Sequence, residues 1–477
     1  MSVRFKINMS EEREYFYSEN DNIQAIDRYE EMIQKNEQYF FDVYQFEDII
    51  DHYFDERKYN KALEAIEIAM GQHPGTSVFQ LKKASILLEN GKGNLSLRLL
   101  NNLEKIEPAN EEVLMLKGKA CLALGKNREA LRAFNQALKN TVEDKVELLQ
   151  SIAFNLDMFG QNEQAIKYLR QALTIEPENP GTLYNLSYYH ESLKDYSSSI
   201  KYMNLYLDED PFSETAWLSL AELYVKTDQI KEALDAYDFC LAIDEHFTPA
   251  YFGKAQIFAD QGKYVDAITN YRDIMDIDDE TEDMLCLIGE CYEKMGDYER
   301  AGNYYKRAIK MDDTFPDAWY GLGLVYIYTA QYKQGIENLY KAISLDQDNA
   351  EYWFSLGNAF LKIQEYNKAE EAYRKVLSMD DKDYEASLNL SEVFYQQKEY
   401  TKAINVLITS YTENADVAAL NFRLSAYYFI SGQKDQGYVY FEKGLTNDYS
   451  AYSEIFKYFP LAKNDQHIKL LINQYKK

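Results

Sequence analysis

The residues that most often carry chemistry are sparse and scattered in this chain. Five histidines occur, His52, His73, His190, His246 and His467, and none falls in a ligand or catalytic pattern. There is no H-E-x-x-H, no G-x-S-x-G, no Walker A loop, and no G-x-G-x-x-G between a strand and a helix. Asp276, Asp278, Asp279 and Glu280 crowd together as calcium ligands do. An EF-hand loop also needs a central glycine and a glutamate at its twelfth position, and both are missing. The cluster therefore reads as a solvated turn. The cysteines, Cys121, Cys240, Cys286 and Cys291, form no C-x-x-C pair. Cys121 and Cys240 fall at repeat-core positions and read as small buried hydrophobes; the set is no disulfide framework and suits a reducing compartment. Carboxylates brought together from distant segments could still act in pairs, but no spacing singles out a pair. The expectation is a protein that is not an enzyme and needs no cofactor or metal.

The elements that position these residues recur with a period of 34. Ala233, Tyr237 and Cys240 are followed by Ala267, Tyr271 and Ile274, then Ala301, Tyr305 and Ala308, and later Ala369, Tyr373 and Val376. Sixteen residues before each alanine stands a large residue: Trp217, Tyr251, Leu285 and Trp353. Counted in this register, twelve units begin at residues 43, 77, 111, 146, 180, 214, 248, 282, 316, 350, 384 and 418 and run to 451. The unit 111–145 carries one extra residue, near Asn140–Lys145. Each unit holds two apolar patterns of helical period with a turn between them, as at Lys294–Asp297. Small residues pair across the two helices: Gly289 with Ala301, Gly323 with Gly335, Gly357 with Ala369, Ala255 with Ala267. A large side chain there would force the helices apart. Residues 1–42 contain a degenerate hairpin, with Phe16 on one helix and Ala25, Tyr29 and Met32 on the other. Residues 452–477 break at Phe459–Pro460 and end in a helix whose apolar face holds Ile468, Leu471 and Ile472. That face suits a lid on the last unit, or alternatively a dimer contact.

A large residue, Leu-Gly, Tyr, Ala, Tyr, Ala and a closing Pro or Asp, in that order, resembles the tetratricopeptide repeat. The resemblance covers residues 43–451. It implies an all-α solenoid: helix-turn-helix units stacked into a right-handed superhelix with a concave groove, capped at 1–42 and 452–477. His190 and Ser199 in one unit, and Ser96 in another, depart from the usual residue types. The tyrosines just before the second helices (Tyr59, Tyr196, Tyr264, Tyr298, Tyr332, Tyr366 and Tyr400) suit a staple at the turn better than a binding ladder.

In such arrays, positions 2, 5, 6, 9, 12 and 13 of the first helix face the groove. Position 5 here is an apolar file, from Leu81 and Met115 to Tyr184, Phe252, Tyr320, Phe354, Leu388 and Phe422. Acids accompany it: Asp283, Asp317, Glu351 and Glu385 at position 2, and Glu222, Glu290 and Glu392 at position 9. The resemblance therefore nominates Tyr184, Tyr188, Phe252, Glu290, Tyr320, Phe354, Asn358, Leu388, Asn389, Glu392, Phe422 and Arg423 as groove residues. Aromatic anchors beside acids suit a protein or peptide segment with apolar and basic side chains. Some relatives clamp a C-terminal carboxylate with two lysines, two asparagines and an arginine. Asn358, Asn389 and Arg423 match three of those five positions, whereas Phe354 and Ala419 occupy the lysine positions and Glu351, Glu385 and Glu392 would repel an acidic tail.

The totals agree with this picture. Hydrophobic residues make up 46%, enough for a buried seam, and Gly (20) and Pro (8) are scarce, as helices require. The net charge of −28 argues against nucleic acid, whose binding rests on Lys and Arg, and against an anionic membrane surface. No secretory leader and no apolar run long enough to span a membrane is visible. The expectation is a cytoplasmic scaffold, monomeric or weakly dimeric, holding a protein or peptide segment in its groove. The alternative is a regulatory sensor or co-chaperone-like adaptor that takes a short peptide and changes curvature.

Overall fold

The computed structural model describes residues 19–141, 143–412 and 414–476; Phe16 and the rest of 1–18 lie outside the described residues. Among the described residues there is no strand. The chain divides into two compact units, residues 1–233 and 234–477. The first holds α1 (Glu19–Lys35) and then hairpins of paired helices. These are α2 (Val43–Asp55) with α3 (Tyr59–Gln72), α4 (Ser77–Glu89) with α5 (Gly93–Ile106), and α6 (Glu111–Ala123) with α7 (Asn127–Asn140). Next come α8 (Lys145–Asp157) with α9 (Asn162–Ile175), α10 (Pro180–Ser192) with α11 (Tyr196–Glu209), and α12 (Glu214–Lys226). The boundary between the units falls inside α13 (Ile230–Ile243).

The second unit continues the pattern. It contains α14 (Thr248–Asp260) with α15 (Tyr264–Ile277), α16 (Glu282–Lys294) with α17 (Tyr298–Met311), and α18 (Pro316–Tyr328) with α19 (Tyr332–Leu345). It goes on with α20 (Ala350–Lys362) and α21 (Tyr366–Met379), α22 (Tyr384–Gln396) and α23 (Tyr400–Tyr411), and α24 (Ala418–Ile430) and α25 (Lys434–Asn447). Two short 3₁₀ turns, α26 (Ile455–Tyr458) and α27 (Gln466–Tyr475) follow. This is an all-α solenoid, in which each hairpin buries its apolar faces against its sequence neighbours.

One backbone feature sets the hairpin turn. Arg57, Gly91, Gly125, Gly160, Lys194, Asp228, Gly262, Gly296, Ala330, Gln364, Lys398 and Gly432 all take a left-handed conformation, with φ from 57° to 83°. They stop the first helix of each hairpin and reverse the chain, a role glycine fills without strain. Six of the twelve are not glycine. The spacing is 34 throughout, except for 35 between Gly125 and Gly160. The extra residue is absorbed where α7 meets α8: Asp144, just before α8, is itself left-handed at φ 55°.

Packing inside the hairpins explains the small residues. A Cβ on Gly335 would lie 3.0 Å from the backbone oxygen of Gly323, so the two backbones touch. Where serine replaces alanine the crossing is kept by hydrogen bonds. The Ser199 hydroxyl donates to the Ser187 carbonyl at 2.9 Å, and the Ser187 hydroxyl donates to the Ser199 carbonyl at 3.0 Å. Ser96 does the same to the Ala84 carbonyl at 2.7 Å. His190, at a usual aromatic place, stacks on Tyr202 and bonds Asp195 at 2.9 Å through Nδ1. The tryptophans are structural too. The indole N–H of Trp217, Trp319 and Trp353 donates to the carbonyl six residues earlier: Pro211, Asp313 and Gln347. Of the turn tyrosines, Tyr298 stacks on Tyr328 of the next hairpin and Tyr59 packs on Phe54 of its own.

The segment after α25 folds back on the last hairpin. Ile468 and Leu471 are buried, the Tyr438 hydroxyl donates to Asp465 at 2.9 Å, and Tyr475 donates to Glu442 at 3.1 Å. The apolar face of α27 is thus used against its own chain.

Candidate functional site

Among the cavities of the second unit are two built mainly from first-helix side chains. The larger, about 500 Å³, lies along α14, α16, α18 and α20. Its apolar wall is Phe252, Leu287, Tyr305, Phe315, Tyr320 and Leu324. Its charged groups are Asp283, Glu290, Glu293, Asp317 and Glu351, opposed by Lys294 alone. Tyr305 reaches in from α17 because two glycines make room for it. A Cβ on Gly321 would lie 2.3 Å from the Tyr305 ring, and one on Gly289 would lie 3.0 Å from it.

Two tyrosines fix two of the acids. The Tyr305 hydroxyl donates to Glu293 Oε2 at 3.2 Å, and the Tyr320 hydroxyl donates to Glu351 Oε1 at 2.9 Å. Asp317 accepts a short hydrogen bond from Tyr352. Burial is the largest influence on Glu293 and pushes its carboxyl up to about 7, with Glu290 and Glu351 adding repulsion. The Tyr305 hydrogen bond and Lys294 pull the other way. Asp283 is also raised, first by burial and then by Glu282 and Asp317. Burial lifts the Cys286 thiol to about 12, so that group is no nucleophile at neutral pH. A space of about 390 Å³ adjoins through the shared residues Leu287, Glu290 and Lys294 and reaches Tyr264 and Cys291. Among the described residues no group of three or more His, Cys, Asp or Glu is arranged to hold a metal.

The second cavity, about 440 Å³, has a different character. It is lined by Asn358, Lys362, Asn389, Glu392, Gln396, Arg423, Lys457 and Tyr458, among others. The Tyr373 hydroxyl and the Asn389 amide both donate to Asn358 Oδ1, at 2.7 and 3.1 Å. Arg423 Nη1 donates to the Leu388 carbonyl at 2.8 Å and Nη2 to Glu454 at 3.4 Å. Its guanidinium lies 4.6 Å from the Tyr458 ring centre.

The nominated groove residues therefore separate into five groups. Phe252, Glu290 and Tyr320 meet in the first cavity, and Asn358, Asn389, Glu392 and Arg423 meet in the second. Tyr184 and Tyr188 lie on α10 of the other unit, 41% and 50% exposed, with the Tyr184 ring against Tyr206. Phe354 is half-buried edge-on to Tyr373 and borders neither cavity. Phe422 and Leu388 are corrected: both are core. Phe422 is 0% exposed because its ring packs on Phe441 and against Gly444 of its own hairpin. Leu388 is buried in the same apolar cluster.

The sequence reading missed Glu293, Tyr305, Lys457 and Tyr458. Glu293 was findable, since it stands at position 12, one of the groove-facing positions. Tyr305 is a second-helix residue that reads as core, and Lys457 and Tyr458 follow the last unit, where the register gives no guide.

A family model described as tetratricopeptide repeat matches residues 159–214 and 354–416, and a second so described matches 316–349. A third, described as TPR repeat, matches 289–327. The chain is 23% identical over 187 residues to a peroxisomal targeting signal receptor of Kluyveromyces lactis, covering 39% of this chain and 33% of the relative. It is 25% identical over 154 residues to the TPR repeat-containing protein YpiA of Bacillus subtilis, covering 32% and 36%. The matches thus span about a third of each curated relative's length. A solved tetratricopeptide repeat protein from Parabacteroides merdae is similar at 16% identity and a TM-score of 0.43, over 52% of this chain and 99% of that one.

Proposed function

We propose that this chain, a tetratricopeptide-repeat protein, is a protein-interaction scaffold whose partner is a segment of protein carrying basic and apolar side chains, held across α14 to α20. One observation carries the reading: the 500 Å³ cavity that sets five carboxylates and one lysine beside an aromatic wall. A lysine or arginine entering it exchanges water for charge-assisted hydrogen bonds, while its aliphatic stem lies on Tyr305, Tyr320 and Phe252. The excess of carboxylates repels acidic segments, so charge supplies selectivity as well as attraction. Tetratricopeptide-repeat proteins are generally not catalysts, and the groups in this cavity suit holding a cation, with Cys286 kept as an inert thiol. The relative from Kluyveromyces lactis is by name a receptor for a targeting signal, which is in keeping with this role.

The test is selection of a random peptide library on the full-length protein. Enrichment of Lys or Arg next to aliphatic or aromatic residues is expected. The double variant Asp283→Asn, Glu290→Gln, which alters acids at the cavity mouth, should weaken the selected peptides about tenfold, or roughly 1.4 kcal/mol. Selected peptides without basic residues, or undiminished binding to the variant, would defeat the proposal.

A further inference from the structure

Positive charge gathers at one end of a chain whose net charge is −28. Residues 455–477 hold Lys457, Lys463, Lys469, Lys476 and Lys477 against one acid, Asp465. That acid is already engaged. Its Oδ1 accepts from the backbone N–H groups of His467 and Ile468 in the first turn of α27, and its Oδ2 accepts from the Tyr438 hydroxyl. In the body of the array lysines are neutralised between hairpins: Lys82 pairs with Asp51, Lys119 with Glu89 and Lys226 with Glu191. The side chains of Lys469 and Lys476 are exposed and make no ion pair among the described residues.

The helix α27 has two faces. Ile468 and Leu471 are buried against the last hairpin. On the other side Lys469, Asn473 and Lys476 follow one another four and three residues apart, so they share one face, with Leu470 52% exposed beside them. Leu461, shortly before α27, is 69% exposed. The outer face thus joins basic and apolar side chains, the composition that suits the cavity along α14 to α20. This helix packs on α25, away from the elements that build the cavity. Reaching the cavity of its own molecule would mean leaving α25, exposing Ile468 and Leu471 and breaking the Tyr438 and Tyr475 hydrogen bonds. We propose that the outer face of α27 docks on a second copy of this chain, with Lys469 and Lys476 of one copy received by the acidic cavity of the other. This deepens the preceding reading and rests on it. The lysine ammonium groups exchange water for charge-assisted hydrogen bonds to Glu290, Glu293 and Glu351, and Leu470 meets the aromatic wall. The two surfaces differ, so the contact is heterologous and can be repeated from copy to copy. The net charge does not forbid it. At physiological salt the screening length is about 8 Å, so remote acids count little and the charges in contact decide.

Sedimentation of the full-length protein at physiological salt tests this. The mass of the parent should rise with its concentration. The cap variant Lys469→Glu, Lys476→Glu exchanges exposed side chains for another good helix former. It should weaken association about tenfold or more and leave the binding of selected basic peptides unchanged. The cavity variant Asp283→Asn, Glu290→Gln should also lose association. Each variant keeps the surface that the other lacks, so an equal mixture of the two should form dimers and nothing larger. A selected basic peptide should disperse the parent's assemblies by occupying the cavity. A parent that stays monomeric at every concentration would overturn the inference, as would a cap variant or a cavity variant that associates like the parent. Each of those results leaves the proposed function standing if the peptide library still enriches basic residues. A library that enriches nothing basic removes both.

Discussion

Glu293 offers a test that needs no ligand. Its carboxyl is pushed from its ordinary 4.5 to about 7, chiefly by burial. In the unfolded chain it titrates in the usual carboxylate range, so between about 4.5 and 7 the folded state keeps a proton that the unfolded state has released. Stability therefore falls as pH rises through that window, and the loss is complete above the folded pKa. At 1.36 kcal/mol per unit the full shift corresponds to about 3 kcal/mol. The cavity mouth is open to solvent, which screens part of this and leaves roughly 1–3 kcal/mol. Glu293→Gln removes the titration, while its amide oxygen can still accept from Tyr305. The variant should match the parent near pH 4.5 and be more stable by that amount at pH 8. The remaining acids titrate alike in both proteins, so the difference isolates one group. A repeat array need not unfold in one step, so urea midpoints should be paired with amide exchange across residues 282–349. A difference that stays flat from pH 4.5 to 8 would refute the argument that burial keeps this carboxyl protonated.

Two further outcomes follow from the backbone and the core. Ala330 holds a left-handed turn at φ 60°, which costs a side-chain-bearing residue roughly 1–2 kcal/mol, so Ala330→Gly should gain about 0.5–1 kcal/mol after glycine's entropy is subtracted; an unchanged or lowered urea midpoint would count against this. Ala301 is fully buried on α17, in the hairpin where Gly289 meets the Tyr305 ring, so Ala301→Phe should cost about 1–3 kcal/mol by overpacking, and thermal unfolding at the parental temperature would contradict the assigned packing.

The sequence by itself determined the repeat, because each hairpin is a local unit whose contacts are repeated by its neighbours. Small residues at the helix crossings and the left-handed turn position both recur on the chain's own period. It also pointed to Phe252, Glu290 and Tyr320, whose positions on a first helix settle the face they occupy. What it left open depends on what lies over a position. Phe354 and Phe422 share one place in the register, yet Phe354 is half-buried and Phe422 is sealed by Phe441 and Gly444. Asn358 and Asn389 are read alike in sequence, and only the fold joins them to Lys457 and Tyr458, which have no place in the period. The raised carboxyl of Glu293 is likewise tertiary, since it needs burial and the repulsion of Glu351 on α20, which together outweigh the Tyr305 hydroxyl brought in from α17. Periodicity fixes direction along the chain, whereas enclosure, and with it charge state and access, arises only when helices distant in sequence close around the same space.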